Sequence, residues 1–318
     1  MHRTILCGGL ALALMGCTAK GSDPKPRPSA TVSERGPWTT PPPTVLAAPK
    51  RLVGFADVHG DLDATRRVLK LAGLIDDGDN WTGGDTVVVQ TGDQLDRGND
   101  EREILDLFER LAEAAWQAGG GFYPLLGNHE IMNVALDLRY ITPDGFTDFA
   151  DISHDASDRQ LADLPPHQRG RAAAFRPGGP YAKILAGHNL AMQVGDTVFV
   201  HGGILPQHAA AGLERINADV QAWIRGDGPA PDPWIRSASA PVWSRTYSDN
   251  PDAEDCKTLQ QTLQMLGAQR MVVGHTVQKG ANAACDGKVW RMDVGMAAHY
   301  GGAPAALEIV GETTKILQ

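Results

Sequence analysis

Apolar, strand-like runs in this chain end repeatedly in a turn where Gly stands beside Asp, Asn or His. Arg51–Ala56 leads into Asp57-Val58-His59-Gly60-Asp61, and Thr86–Gln90 into Gly92-Asp93-Gln94-Leu95-Asp96-Arg97-Gly98. Phe122–Leu126 leads into Gly127-Asn128-His129-Glu130. Later, Thr197–Val200 ends at His201-Gly202-Gly203, and Arg270–Val273 at Gly274-His275-Thr276. Helical spacing separates the first three runs: Leu62–Ala72, then the amphipathic Glu101–Ala118 with Ile104, Leu105, Leu107, Phe108 and Leu111 apolar. This β-α-β-α-β start predicts an α/β sheet with helices outside it.

The second half has a different texture. Asn189–Val194 and Thr197–Val200 read as a hairpin around Gly195-Asp196. Val289–Asp293, Ala306–Val310 and Lys315–Leu317 are further short strands, and Leu213–Ile224 and Thr258–Leu266 are helical. A second, more antiparallel sheet is expected. The fold class is therefore α/β, a central two-sheet β-sandwich flanked by α-helices. Residues of about 142–187 are rich in Asp, Arg, Pro and Gly with little periodicity. They read as an irregular insertion that selects the substrate.

The N-terminus stands apart from the fold. A short basic start precedes the apolar run Ile5–Met15, which is too short to span a bilayer and reads as a secretory signal. It ends Leu14-Met15-Gly16-Cys17, which resembles the bacterial lipoprotein cleavage box. Residues 1–17 are thus expected to be a lipoprotein-type signal, with Cys17 the lipidated residue. Residues 18–49 are Pro-rich and read as a disordered tether, and residues 50–318 as the folded domain. The expected location is the bacterial cell envelope, lipid-anchored and facing the periplasm. Export removes Cys7 and modifies Cys17, leaving Cys256 and Cys285 as an even pair in an oxidising compartment. They are expected to form a disulfide; two buried free thiols are the alternative.

The turns carry the chemistry. In an extended segment Asp57 and His59 point to one side, so one cation can take both. The Asp93 carboxylate can bridge two cations about 3.5–4 Å apart. It could also cap a helix. Asn128 offers an amide oxygen, and His201 and His275 each end an apolar run beside Gly. One strand-end His is ordinary, but the same context at several positions is not. His154, His167, His188, His208 and His299 lack it. His129, next to Asn128, is expected to point elsewhere and to protonate a leaving oxygen, with Asp96 orienting it and keeping it charged. Arg97 has the planar fork that grips a phosphate dianion, and Arg245 is a second clamp. Two divalent cations with a spare His, Asp and Arg are the equipment for metal-assisted phosphate-ester hydrolysis. Asp, Asn and His accept Mn, Fe or Zn alike. The net charge of -9 argues against a nucleic-acid scaffold. Oligomeric state is not legible.

As an ensemble these motifs resemble the calcineurin-like metallophosphoesterases. The Arg of Gly92-Asp93-Gln94-Leu95-Asp96-Arg97-Gly98 narrows the resemblance to the phosphoprotein phosphatase branch. Met132-Asn133, Arg139-Tyr140, Trp243-Ser244-Arg245 and Asp293-Val294-Gly295-Met296 are similar to bacterial Shewanella-like phosphatases. The resemblance implies one metal on Asp57, His59 and Asp93, and a second on Asp93, Asn128, His201 and His275. It implies phosphate held by Arg97, Asn128 and Arg245, in-line attack by a metal-bridging hydroxide, and His129 as general acid. Ala56 stands where most relatives have Gly, and Asp61 where the eukaryotic enzymes usually carry Gln. The expected function is a metal-dependent phosphomonoesterase acting on phosphoprotein, Ser/Thr or Tyr. Two alternatives stand beside it: an envelope hydrolase of small phosphoesters or nucleotide pyrophosphates, and a non-catalytic phosphate-binding protein. The intact ligand set and the His129–Asp96 pair argue against the last.

Overall fold

The computed structural model describes Met1, residues 42–155 and residues 157–318. The expected signal, Cys17 and most of the expected tether lie outside the described residues. The strands are β1 Val45–Leu46, β2 Leu52–Phe55, β3 Val87–Gln90, β4 Gly121–Pro124, β5 Ala191–Val194 and β6 Thr197–Val200. They continue with β7 Arg270–Val273, β8 Asn282–Ala284, β9 Val289–Arg291, β10 Ala306–Val310 and β11 Thr313–Leu317.

They form two sheets, ordered β11-β10-β2-β3-β4 and β1-β5-β6-β7-β9-β8. In the first, β2, β3 and β4 run parallel, and the β10–β11 hairpin adds antiparallel to β2. The second is mixed and, contrary to expectation, not more antiparallel than the first. Its β1–β5, β6–β7 and β7–β9 pairs are parallel, because chain containing α-helix separates β6 from β7. Only a hairpin joined by a tight turn must be antiparallel.

The core lies between the sheets. Gly54 of one faces Phe199 of the other, while Phe55 and Phe122 lie on the opposite face of their sheet and pack on Phe108 of the helix Glu101–Gln117, with ring centroids 6.2 and 5.0 Å away. The approach is close: a Cβ on Gly54 would stand 2.8 Å from Phe199 Cε1. Burial of such side chains contributes roughly 1.5–3 kcal/mol each. Helices Leu62–Leu71 and Glu101–Gln117 connect the parallel strands and bury Val68, Leu69, Ile104, Phe108 and Leu111. Helix Leu62–Leu71 starts where Asp61 caps it, accepting from Ala64 N at 2.8 Å.

Two expectations change. Residues 42–46 are not tether. Gln193 N donates to Thr44 O at 2.8 Å, Asn189 Nδ2 to Pro43 O at 3.2 Å, and Val45–Leu46 pairs with β5. A two-residue strand after a Pro run leaves no periodicity to read. The segment 142–187 also holds short helices, Pro143–Thr147, Arg159–Ala162, Arg169–Phe175 and Pro180–Leu185. Their Phe149, Phe175, Tyr181 and Leu185 surroundings pack with Ile131, Ile216 and Val220 in a second core. Helices this short show no amphipathic period.

Cys256, on helix Ala253–Leu266, is joined to Cys285 beside β8, with Cα atoms 5.2 Å apart. The bond spans 29 residues that include β7 and His275. Chain-entropy bookkeeping for such a loop gives about 3–4 kcal/mol. Replacing both Cys256 and Cys285 with Ser should therefore lower unfolding stability by about that amount in urea. An unchanged midpoint would show that the bond does not constrain the unfolded chain.

Candidate metal centre

The turns after β2, β3, β6 and β7, and the turn leading from β4 into helix Asn128–Val134, meet at one edge of the sandwich. Backbone bonds register them. Val58 N and His59 N donate to Asp93 O at 3.1 and 3.0 Å, and Gly60 N donates to Gln94 O at 2.8 Å. His59, Asp93, Asp96, Arg97 and His275 all have positive φ, between 44° and 72°. Non-Gly residues rarely adopt this region, and holding them there costs on the order of 1–3 kcal/mol each. Two glycines let carboxylates come close. A Cβ on Gly127 would lie 2.2 Å from Asp93 Oδ1, and one on Gly274 2.3 Å from Asp57 Oδ1.

Asp57, His59, Asp93, Asn128, His129, His201 and His275 are all buried here. His59 Nε2 lies 3.8 Å from Asp57 Oδ2 and 3.7 Å from Asp93 Oδ2. His201 Nε2 lies 3.2 Å from Asp93 Oδ2 and 2.9 Å from Asn128 Oδ1. Two sets, His59 with Asp93 and His129, and Asp93 with His201 and His275, each place their ligand atoms within 4.8 Å of one another. Asp93 is shared by both.

Whether cations fit is decided by where the hydrogens are. His201 Nδ1 is 2.9 Å from Thr91 O, and His59 Nδ1 is 3.1 Å from Leu95 O. A carbonyl only accepts, so each Nδ1 carries the hydrogen and each Nε2 turns a lone pair inward. Asn128 Nδ2 faces Met132 Sδ at 3.9 Å, which turns its Oδ1 inward as well. His275 Nε2 is buried with no hydrogen-bond partner among the described residues. Lone pairs of His59, His201, Asn128, Asp57 and Asp93 thus converge beside the unpartnered Nε2 of His275. Such a set fits divalent cations of the Mn, Fe or Zn kind.

The electrostatics agree. Burial lowers His59 to about 4. Burial, with His201 and Arg245 nearby, lowers His275 to about 2. Neutral imidazoles are what a cation binds. Burial raises Asp57, and Asp293 and Asp93 add to it. Asp293 itself is raised to about 6, chiefly by burial.

His129 behaves differently. Burial pulls it down, but the Asp93 charge and the Asp96 hydrogen bond outweigh this, and it rises to about 9. Its Nδ1 is 2.5 Å from Asp96 Oδ2, and its Nε2 is 3.9 Å from Asp93 Oδ2. The ring lies beside the cluster, 4.8 Å from the His59 ring and edge to face with it. Asp96 holds the ring through Nδ1, while the backbone N–H of His129 donates to Asp93 Oδ1 at 2.9 Å. Asp93 thereby also serves the first turn of the helix Asn128–Val134, though that helix follows a different strand.

Arg97 is half-buried. Its guanidinium stacks 4.0 Å over the Tyr140 ring, and its Nε has no partner among the described residues. Arg245 is exposed and held through Nη1 to His275 O at 3.1 Å and Thr276 Oγ1 at 2.8 Å. Elsewhere, His188 pairs with Glu109 at 3.2 Å, and His208 Nδ1 accepts from Leu205 N at 3.0 Å. Neither joins the cluster.

Sequence reading gave no role to Glu130, Asn133, Tyr140, Glu101, Arg171 or Asp293. Glu130 accepts N–H groups from Gly127 at 2.7 Å, Asp93 at 2.8 Å, Gln94 at 2.9 Å and Leu95 at 3.1 Å. Its place in Gly127-Asn128-His129-Glu130 was a signal. For Arg171 the signal was a charge inside Gly170-Arg171-Ala172-Ala173-Ala174-Phe175, an otherwise apolar run.

The chain is similar to known proteins. The calcineurin-like phosphoesterase model matches residues 50–279. Shewanella-like protein phosphatase 2 of Arabidopsis thaliana is 41% identical over 299 residues, covering 84% of this chain and 76% of that protein. Shewanella-like protein phosphatase 1 of Plasmodium berghei is 26% identical over 77% of this chain and 67% of its own length. Among solved structures, the cold-active protein-tyrosine phosphatase of a psychrophilic Shewanella superposes with a TM-score of 0.70 at 25% identity, covering 87% of this chain and 83% of that one. With the sandwich, the shared Asp93 and the paired His–Asp sets in place, the chain belongs to the calcineurin-like phosphoesterase family and is a hydrolase of phosphate esters.

Proposed function

We propose that this chain is a metal-dependent phosphomonoesterase acting on phosphorylated protein side chains, with His129 as its general acid. The observation that carries this reading is the His129–Asp96 pair at 2.5 Å, its imidazole facing the ligand cluster. One cation would sit on Asp57, His59 and Asp93, and the other on Asp93, Asn128, His201 and His275. When bound, the pair lowers the pKa of the attacking water and offsets charge on the phosphoryl oxygens.

The chain's own residues do the rest. Asp96 holds the Nδ1 hydrogen of His129, so the Nε2 proton is the one delivered to the leaving oxygen. The Asp96 hydrogen bond and charge raise His129 and so favour the imidazolium, which has that proton to give. Arg97, stacked on Tyr140, presents a planar fork to the terminal phosphate. Among the described residues only Nη1 of Arg245 is engaged, so its other edge can take a phosphoryl oxygen. Two arginines suit a terminal dianion better than an internal diester. The names of the similar phosphatases favour a phosphoprotein, on Ser/Thr or Tyr.

The proposed location is the cell envelope, through lipid on Cys17. The sequence around Cys17 supports it, and so does the Cys256–Cys285 bond, which suits an oxidising compartment. No helix among the described residues is long and apolar enough to cross a membrane.

The test is hydrolysis by the metal-supplemented chain of phosphotyrosine peptide, phosphoserine peptide, a nucleotide monophosphate and a bis-phosphodiester. Metal-dependent turnover concentrated on one phosphopeptide is expected; preference for the nucleotide or diester would sink the protein-substrate reading. His129→Asn should lower kcat on the best substrate by about 10²–10⁴-fold with metal content retained. Loss of the metals in that variant would make His129 a ligand instead. In a bacterial host, Cys17→Ser should move the protein from the membrane to the soluble fraction. Membrane retention of that variant would refute the lipid anchor.

A further inference from the structure

Arg171 lies on helix Arg169–Phe175, inside the insertion, and its side chain is fully buried. A buried guanidinium is expensive unless it is paired and its hydrogens are used. Here the fork closes on Glu101: Nη2 is 2.8 Å from Oε1, and Nη1 meets Oε2. Nη1 also donates to Gly145 O at 3.0 Å, and Nε donates to Asn133 Oδ1 at 2.9 Å. The Phe149 and Phe175 rings each lie 5.0 Å from the guanidinium carbon.

Its side-chain partners converge on one carboxylate. Glu101 Oε1 accepts from Asp96 N at 2.5 Å. Asn133 Nδ2 donates to Asp96 Oδ1 at 2.9 Å and to His129 O at 2.9 Å. Arg171 Nη2 itself lies 3.4 Å from Asp96 Oδ1. Asp96 is thus held through its backbone N–H and its Oδ1, which leaves Oδ2 for His129 Nδ1.

We propose that Arg171 is a positioning residue for the general acid, so that the insertion completes the proton-delivery apparatus. This rests on His129 being the acid. The physical lever is the Asn133 amide. Arg171 Nε is a donor only, so it fixes Asn133 with Oδ1 toward the guanidinium and Nδ2 toward Asp96. Without Arg171, Asn133 Oδ1 loses its donor and Asp96 Oδ1 loses the guanidinium beside it, so only the two Nδ2 bonds, to Asp96 Oδ1 and His129 O, hold the amide and the carboxylate together. Asp96 would rotate, and His129 would lose the partner that fixes its ring. Arg171 touches neither substrate nor cluster, so its effect appears in proton delivery and not in binding.

The experiment measures kcat and KM for the metal-loaded enzyme on aryl phosphates from phenyl to 2,4-dinitrophenyl. A poor leaving group needs the proton; a good one does not. The variants are His129→Asn, Arg171→Lys, and the double Arg171→Met with Glu101→Gln, which leaves no unpaired buried charge. Metal content and Tm are read for each. His129→Asn should lose far more on phenyl than on dinitrophenyl phosphate. Both Arg171 variants should show the same slope, with kcat on phenyl phosphate down about 10–100-fold and KM and metal content unchanged. An even loss across the series, or no loss, in folded and metal-loaded Arg171 variants would overturn the proposal and leave Arg171 a structural residue. If His129→Asn itself shows no leaving-group dependence, the acid reading fails, and this proposal falls with it.

Discussion

The site depends on one buried carboxylate that is not itself in the ligand cluster. Glu130 collects the N–H groups of Gly127, Asp93, Gln94 and Leu95. Burial and the Asp93 charge raise Glu130 to about 7, and the four donors work against them by favouring the ionised, acceptor-only form, in which such bonds are about twice as strong as neutral ones. They fix the turn after β3 against the turn after β4. Those two turns carry Asp93, Asp96 and Arg97 on one side and Asn128 and His129 on the other. Removing the Glu130 carboxylate would leave four buried N–H groups unpaired, each costing about 1–3 kcal/mol.

That anchoring makes the backbone strain affordable. Half of the site's polar residues sit at positive φ without being glycine. Strain of this sort persists only where the surroundings over-determine it. Here they do: Val58, His59 and Gly60 are pinned by carbonyls of Asp93 and Gln94, and Asp93 by Glu130. The shared Asp93 also donates nothing from its side chain. It accepts from His129 N and faces His59 and His201. One residue therefore ties helix Asn128–Val134 to the cluster, which no single turn in the sequence could do alone.

The order of strands and long helices was legible because period and length are strong signals in Glu101–Gln117 and in the β-branched runs before each turn. So was the set of residues that meet at the sandwich edge, because each stands in the same strand–turn context. What could not be read is whatever depends on partners far apart in the chain. Arg171 lies 70 residues from Glu101 and meets it only through the packing of the insertion. Val45–Leu46 is a strand only because β5 offers it an edge. The mixed second sheet follows the same rule, since β6 and β7 are too far apart in sequence for local signals to set their direction.

The histidines show how one side chain can take two roles within a few ångströms. His59 and His201 give their Nδ1 hydrogens to backbone carbonyls, which are neutral acceptors. His129 gives its own to the Asp96 carboxylate. A neutral acceptor fixes the tautomer and leaves the ring a ligand. A full negative charge does more, because it favours the imidazolium over the imidazole in a site where burial alone would favour the reverse. The Asp93 charge and the Asp96 partner of Nδ1 together set the protonation of His129 apart from that of His59. That partner must stay ionised and correctly turned. The fold meets this need by surrounding Asp96 Oδ1 with the donors of Asn133 and Arg171 and by giving its N–H to Glu101. In the proposed mechanism, the difference between a ligand and an acid would thus rest on residues outside the ligand set.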